Sequence, residues 1–150
     1  MRRADRAIDL NEAREILNIA PYGVLSLVSS DNTPYGIPLN FALEGDGIYF
    51  HSAKEGRKIN LLAENQEASF CAVGNAEVLP EQFATNYESA IATGTVEELV
   101  AGEKRLGLLI LLKKYSPEYI NAGLEYTEKF LDKTRVFRMN VASITGKARQ

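Results

Sequence analysis

Apolar residues recur at helical spacing at Leu10, Ala13, Ile16, Leu17 and Ala20, with Glu12, Arg14 and Glu15 between them, and Pro21 closes the pattern. An amphipathic helix is predicted there. The period then shortens. Residues 23–28, GVLSLV, form an apolar run with Val24 and Val28 near its ends, and Ser29, Ser30, Asp31 and Asn32 behind it are turn formers, so a strand and a turn are expected. A second strand is expected over 35–43, where Pro38 requires an edge position, a bulge or a place where the backbone faces a ligand. Glu44-Gly45-Asp46-Gly47 then reads as a hairpin turn into a strand over 48–51.

Ile59, Leu61, Leu62 and Ala63 predict a short helix over 58–64, followed by a strand over 68–73 and a break at Gly74-Asn75. Leu79-Pro80-Glu81 opens a loop, and a long β pattern over 87–100 is interrupted at Gly94, where a curved barrel strand bends. Residues 102–114 read as a helix whose apolar stretch 106–112 is buried. Ser116-Pro117-Glu118 supplies an N-cap, a first-turn proline and a first-turn acid for the next helix. The last strand is expected over 135–141, followed by a tail. Strands joined by short turns, with helices at the start, after the third strand and before the last, predict a mainly β protein: a small antiparallel barrel with peripheral helices. Strand and helix do not alternate regularly, which disfavours a doubly wound parallel sheet.

The composition narrows the chemistry. A length of 150 residues fits one domain, 1–150, and 45% hydrophobic with 25% charged residues is ordinary for a globular chain. The net charge of −3 gives no global attraction to polyanions, so nucleic acid is not an expected partner and any phosphate site must be local. Cys71 is the only cysteine, which excludes an intrachain disulfide. No apolar run is long enough for a signal peptide or a membrane span, and the protein is expected in the cytoplasm. With one histidine, no metal pair and no Ser/His/Asp set is indicated, and no metal is expected.

What remains is the stretch 48–58, IYFHSAKEGRK, in which a strand hands over to a helix beside a histidine, a serine and two adjacent cations. A helix start leaves backbone N–H groups unsatisfied, and Arg57 and Lys58 add positive charge, an arrangement that suits an anion such as a phosphate. Two readings stand side by side. Ser52 and Glu55 have the spacing of a capping box, so Ser52 caps the helix; or the Ser52 hydroxyl, the helix-start amides, Arg57 and Lys58 converge on a phosphate. His51, beside this corner, is the one candidate catalytic group. Cys71 lies in an apolar strand pattern and reads as an inert thiol.

The order of Tyr35-Gly36-Ile37-Pro38-Leu39-Asn40, Tyr49-Phe50-His51-Ser52-Ala53 with Gly56-Arg57-Lys58, Ser69-Phe70-Cys71-Ala72-Val73, Tyr87-Glu88-Ser89 and Ile144-Thr145-Gly146-Lys147 resembles the flavin-binding split barrels related to pyridoxamine 5′-phosphate oxidase. The resemblance implies a six-stranded antiparallel split barrel that binds FMN, ahead of FAD. The phosphate would be held by Ser52, Arg57 and Lys58. By the same resemblance Pro38, Leu39 and Asn40 lie along the isoalloxazine ring, His51 and Ala53 approach it near the phosphate side, and Ser89 is a further candidate. It also implies a homodimer with the flavin at the interface. The oxidase proper has an aromatic residue where His51 stands. A histidine there is similar to the nitroimidazole-resistance branch, whose assigned activity is reductive toward nitroaromatic drugs. The expected function is an FMN-dependent oxidoreductase acting on a small electron acceptor, with His51 orienting it or passing a proton. The alternative is a flavin or haem binding or storage protein without turnover.

Overall fold

The computed structural model describes residues 3–149. A 3₁₀ turn and a two-residue strand, β1 (Ala7–Ile8), lead into helix α1 (Leu10–Ile19). Asp9 starts α1 with a reciprocal cap: its carboxylate accepts from the Glu12 N–H at 2.9 Å, and Glu12 accepts from the Asp9 N–H at 2.9 Å. Ala13, Ile16 and Leu17 form the buried face. Strands β2 (Gly23–Val28), β3 (Pro34–Leu39), β4 (Ala42–Glu44) and β5 (Gly47–Ala53) follow, then helix α2 (Arg57–Glu64). Long strands β6 (Glu67–Leu79) and β7 (Ala84–Leu99), helices α3 (Ala101–Tyr115) and α4 (Ile120–Phe130), and strand β8 (Thr134–Arg149) complete the chain.

All pairings are antiparallel, in the order β3-β2-β6-β7-β8-β5-β4, with β1 on β8. The two edge strands, β3 and β4, stand at opposite ends of this order yet only Asn40 and Phe41 separate them. Two residues reach about 10 Å between their neighbours. The sheet must therefore curl until its edges nearly meet, leaving an open seam crossed by Asn40-Phe41: a split barrel. Among the described residues the count is eight strands, not six, because the pairing includes the short β1 and β4. The stretch 35–43 is broken at the seam instead of forming one strand. Pro38 sits on edge strand β3, opposite Val24, the kind of position to which a strand proline is confined.

Three other boundaries differ from expectation. Gly74-Asn75 does not end a strand; the ladder between β6 and β7 slips there, from Val73 opposite Ser89 to Ala76 opposite Tyr87, and continues. The expected tail after 141 is the second half of β8, which pairs β7 as far as Arg149. Ser116 places no side-chain cap on α4, because a 3₁₀ turn, Pro117–Tyr119, comes between them. Gly94 does mark a bend: the register between β7 and β8 shifts between Thr93 and Gly94, and a Cβ there would run into the Asn140 carbonyl.

The barrel interior is filled by Phe41, Phe50, Phe70 and Phe137 against the small Ala72, Ala90 and Ala92, with α1 and α2 packed onto it. A second cluster, Tyr49, Leu99, Val136, Ile110 and Leu111, lies under α3. Only one side of α3 is buried: Leu106 is 53% exposed, so the apolar stretch 106–112 is a half-covered helix.

The end of α3 staples the seam. Leu17 has no helical partner for its carbonyl, because the residue four positions on is Pro21, and the Lys114 amine donates to it at 3.3 Å. The same amine stands 3.9 Å from the centre of the Phe41 ring, and burial pushes its pKa down to about 8. The Tyr115 hydroxyl accepts from the Phe41 N–H at 2.9 Å and faces the carbonyls of Pro21, at 2.7 Å, and Phe41, at 3.0 Å.

Candidate functional site

The C-terminal half of β5 carries the site. Its ladder with β8 sets His51 opposite Val136, Ser52 opposite Arg135 and Ala53 opposite Thr134. Phe50 points into the barrel and stacks on Phe137, with ring centres 5.3 Å apart, while Tyr49 joins the cluster under α3. Alternation then puts His51 and Ala53 on the α3 side. Beyond Ala53 the chain turns through Gly56, whose φ of 137° favours glycine, and α2 begins at Arg57.

The capping-box reading does not hold. Ser52 is held extended inside β5, the N-cap of α2 is Gly56, and no side chain caps that helix. Its first amides remain open to an anion. Arg57 and Lys58 flank this start, and neither is in an ion pair among the described residues. The Arg57 guanidinium lies 4.5 Å from the centre of the Tyr35 ring on β3. Lys58 is half-buried and its pKa is lowered by that burial. His51 is exposed toward the cavity mouth; desolvation by the surrounding wall, then the charge of Lys58, holds its imidazole below the ordinary histidine value. Both effects favour the neutral ring, which can donate from one nitrogen and accept at the other. A hydroxyl, open amides and two cations without carboxylate partners among the described residues are the donor set an anionic phosphate requires, so these residues fit a phosphate group.

Beside this corner lies a cavity of about 460 Å³. Asn40, His51, Ser52 and Ala53 line it from the strands. Across from them stand α3, with Leu108, Leu111 and Tyr115, and α4, with Tyr126 and Phe130. The Tyr115 staple on Phe41 thus also sets the backbone next to Asn40. Four candidates meet in the cavity, and Arg57 and Lys58 stand at the helix start. Leu39 is half-buried against the main core, and Pro38 is exposed on edge strand β3. Ser89 is elsewhere: it lies ten residues along β7 from Leu99, whose partner Val136 pairs with His51, roughly 30 Å of strand. Burial raises the Cys71 pKa, in keeping with an unreactive thiol. No group of three or more His, Cys, Asp or Glu residues suited to a metal ion occurs among the described residues. No helix among the described residues is long and apolar enough to cross a membrane.

The α3 and α4 wall was not legible in the sequence. The one available signal was that α3 is apolar on nearly every side, more than burial of a single face needs.

The family model for pyridoxamine 5′-phosphate oxidase matches residues 9–148. The chain belongs to that family. No curated protein matches it. Among solved structures, a candidate 5-nitroimidazole antibiotic resistance protein from Bacteroides thetaiotaomicron superposes with a TM-score of 0.81 at 26% identity, covering 94% of this chain and 85% of that one. A FAD and haem binding protein from Mycobacterium smegmatis gives 0.79 at 21% identity, over 95% of this chain and 72% of the other. A flavocytochrome from Azotobacter vinelandii gives 0.78 at 22% identity, over 100% and 72%. The last two establish likeness of fold. Members of the pyridoxamine 5′-phosphate oxidase family and flavin-binding proteins thus share this split barrel.

Proposed function

We propose that this member of the pyridoxamine 5′-phosphate oxidase family is an FMN-binding oxidoreductase that reduces a small, nitroaromatic-type acceptor. The observation that carries the reading is the uncapped, acid-free start of α2, with Ser52, Arg57 and Lys58, opening beside the cavity that holds His51. The description of the Bacteroides neighbour supports the acceptor class. Bound FMN would supply reversible one- and two-electron transfer. The chain's own residues do the rest. Ser52 and the α2 amides donate to the phosphate, Arg57 and Lys58 neutralise it, and α3 gives the cavity an apolar side. Neutral His51 orients the acceptor by a hydrogen bond.

The same reading includes a homodimer with the flavin at its interface. The outer face of the sheet supports it. One cross-strand row runs Pro38, Val24, Cys71, Ile91 and Thr145, and the next runs Gly36, Ser26, Ser69, Thr93 and Ser143. Neither row carries a charge, and Ile91 is 44% exposed. Pro38 and Ser89 share this face, so in a dimer they would reach the partner's flavin instead of their own. A second reading, flavin or haem binding without turnover, is favoured by the descriptions of the Mycobacterium and Azotobacter neighbours and by the single imidazole in an apolar-walled cavity.

The absorbance spectrum of the purified protein tests both. A flavin spectrum that Ser52→Ala with Lys58→Ala abolishes, and that a nitroaromatic reoxidises after reduction, is expected. Colourless protein that ignores added FMN would end the flavin reading. A haem band, or a flavin that no small acceptor reoxidises, would select binding without turnover.

A further inference from the structure

The cavity between β5 and the two helices has a chemical asymmetry that phosphate binding leaves unused. Its outer wall is apolar and aromatic, with Leu108 and Leu112 on α3 facing Tyr126 and Phe130 on α4. The Tyr126 and Phe130 rings are 4.6 Å apart and tilted by 44°, so α4 presents an aromatic corner. Among the described residues no aspartate or glutamate lines the cavity, whereas Lys133 does. The Lys133 amine stands 5.8 Å from the centre of the Phe130 ring and that of Lys129 stands 5.6 Å away. Neither lysine is in an ion pair among the described residues. The aromatic corner is therefore bordered by positive charge that no carboxylate among the described residues answers with an ion pair.

An aromatic surface in a concave site is best covered by another flat ring, and an unpaired ammonium at its rim is best answered by an anion. We infer that this cavity is a substrate site for a flat aromatic molecule bearing a carboxylate or comparable anionic group. The ring packs on Tyr126 and Phe130, the anion meets Lys133, and the opposite end of the molecule faces Asn40 and His51. Its role as the acceptor site rests on the flavin reading. The binding preference itself does not.

The test is calorimetric titration of the purified protein, as isolated and after saturation with FMN, with 4-nitrobenzoate and with neutral 4-nitrobenzyl alcohol. The carboxylate is expected to bind about threefold tighter or more, an advantage of the size an exposed charge supplies. Lys133→Gln should erase that difference, and so should high salt. Phe130→Ala should weaken both probes about tenfold. Tyr126→Ala, at a ring that is 66% exposed, should act in the same direction and serves where the Phe130 variant does not fold. Equal affinity for the two probes, or a difference that Lys133→Gln leaves intact, overturns the inference. So does loss of bound flavin from Lys133→Gln or Phe130→Ala, which would give the cavity to the flavin itself. Colourless protein that keeps the preference leaves this site standing and removes the flavin reading; yellow protein that ignores both probes does the reverse.

Discussion

Replacing Tyr115 by phenylalanine takes one oxygen from the staple across the barrel seam and changes almost nothing else. The ring, its contacts with the cluster under α3 and its apolar area all stay. What disappears is the acceptor for the Phe41 N–H, at 2.9 Å, and the donor shared between the Pro21 and Phe41 carbonyls, at 2.7 and 3.0 Å. Phe41 is fully buried, so its N–H has no ready replacement from solvent. An orphaned buried donor costs about 1–3 kcal/mol and a lost carbonyl bond somewhat less, which gives about 2 kcal/mol for Tyr115→Phe. For a chain of this length that is a fall of roughly 6 °C in Tm. Urea unfolding followed by far-UV circular dichroism at fixed protein concentration measures it, with an unchanged slope expected because the buried area is unchanged. Tyr22→Phe is the control, since Tyr22 is 60% exposed, and it should change stability by less than about 0.5 kcal/mol. If Tyr115→Phe lost no more than that control, the seam would not depend on this hydroxyl.

Two further outcomes are expected. Gly94→Ala places a methyl group against the Asn140 backbone at the bulge between β7 and β8, and should cost about 1–3 kcal/mol in the same unfolding assay; wild-type stability would show that the two strands can part there. His51 should titrate below its ordinary value of 6.5, and Lys58→Gln should raise its pKa by removing the nearby charge; as the chain has one histidine, its ring-proton signals report this without ambiguity. Between its folded pKa and 6.5 the unfolded chain holds more of the His51 proton, so this group's contribution to stability is complete above 6.5 and is lost as pH falls through the folded pKa. A midpoint at or above 6.5, or no response to Lys58→Gln, would contradict the placement of the two side chains.

Local pattern alone determined much of this protein. The spacing of Ala13, Ile16 and Leu17 located α1, the turn formers after Val28 ended β2, and Glu44 to Gly47 made the hairpin, because helix period, strand alternation and turn preference act over a few residues. The basic helix start after His51-Ser52 was legible for the same reason. Other features were decided by contacts distant in sequence. Ser52 has the spacing of a cap, but pairing with Arg135 on β8 holds it in a strand and moves the helix start beyond Gly56. The residues after 141 lack a strong strand signal, yet β7 supplies a complete ladder for them. The seam is closed by a hydroxyl 74 positions from the backbone it serves, and the aromatic, basic wall opposite His51 comes from α3, α4 and Lys133. No local rule relates these groups. Only the curl of the sheet, forced by a two-residue link between its edges, sets Asn40, His51 and that wall around one cavity.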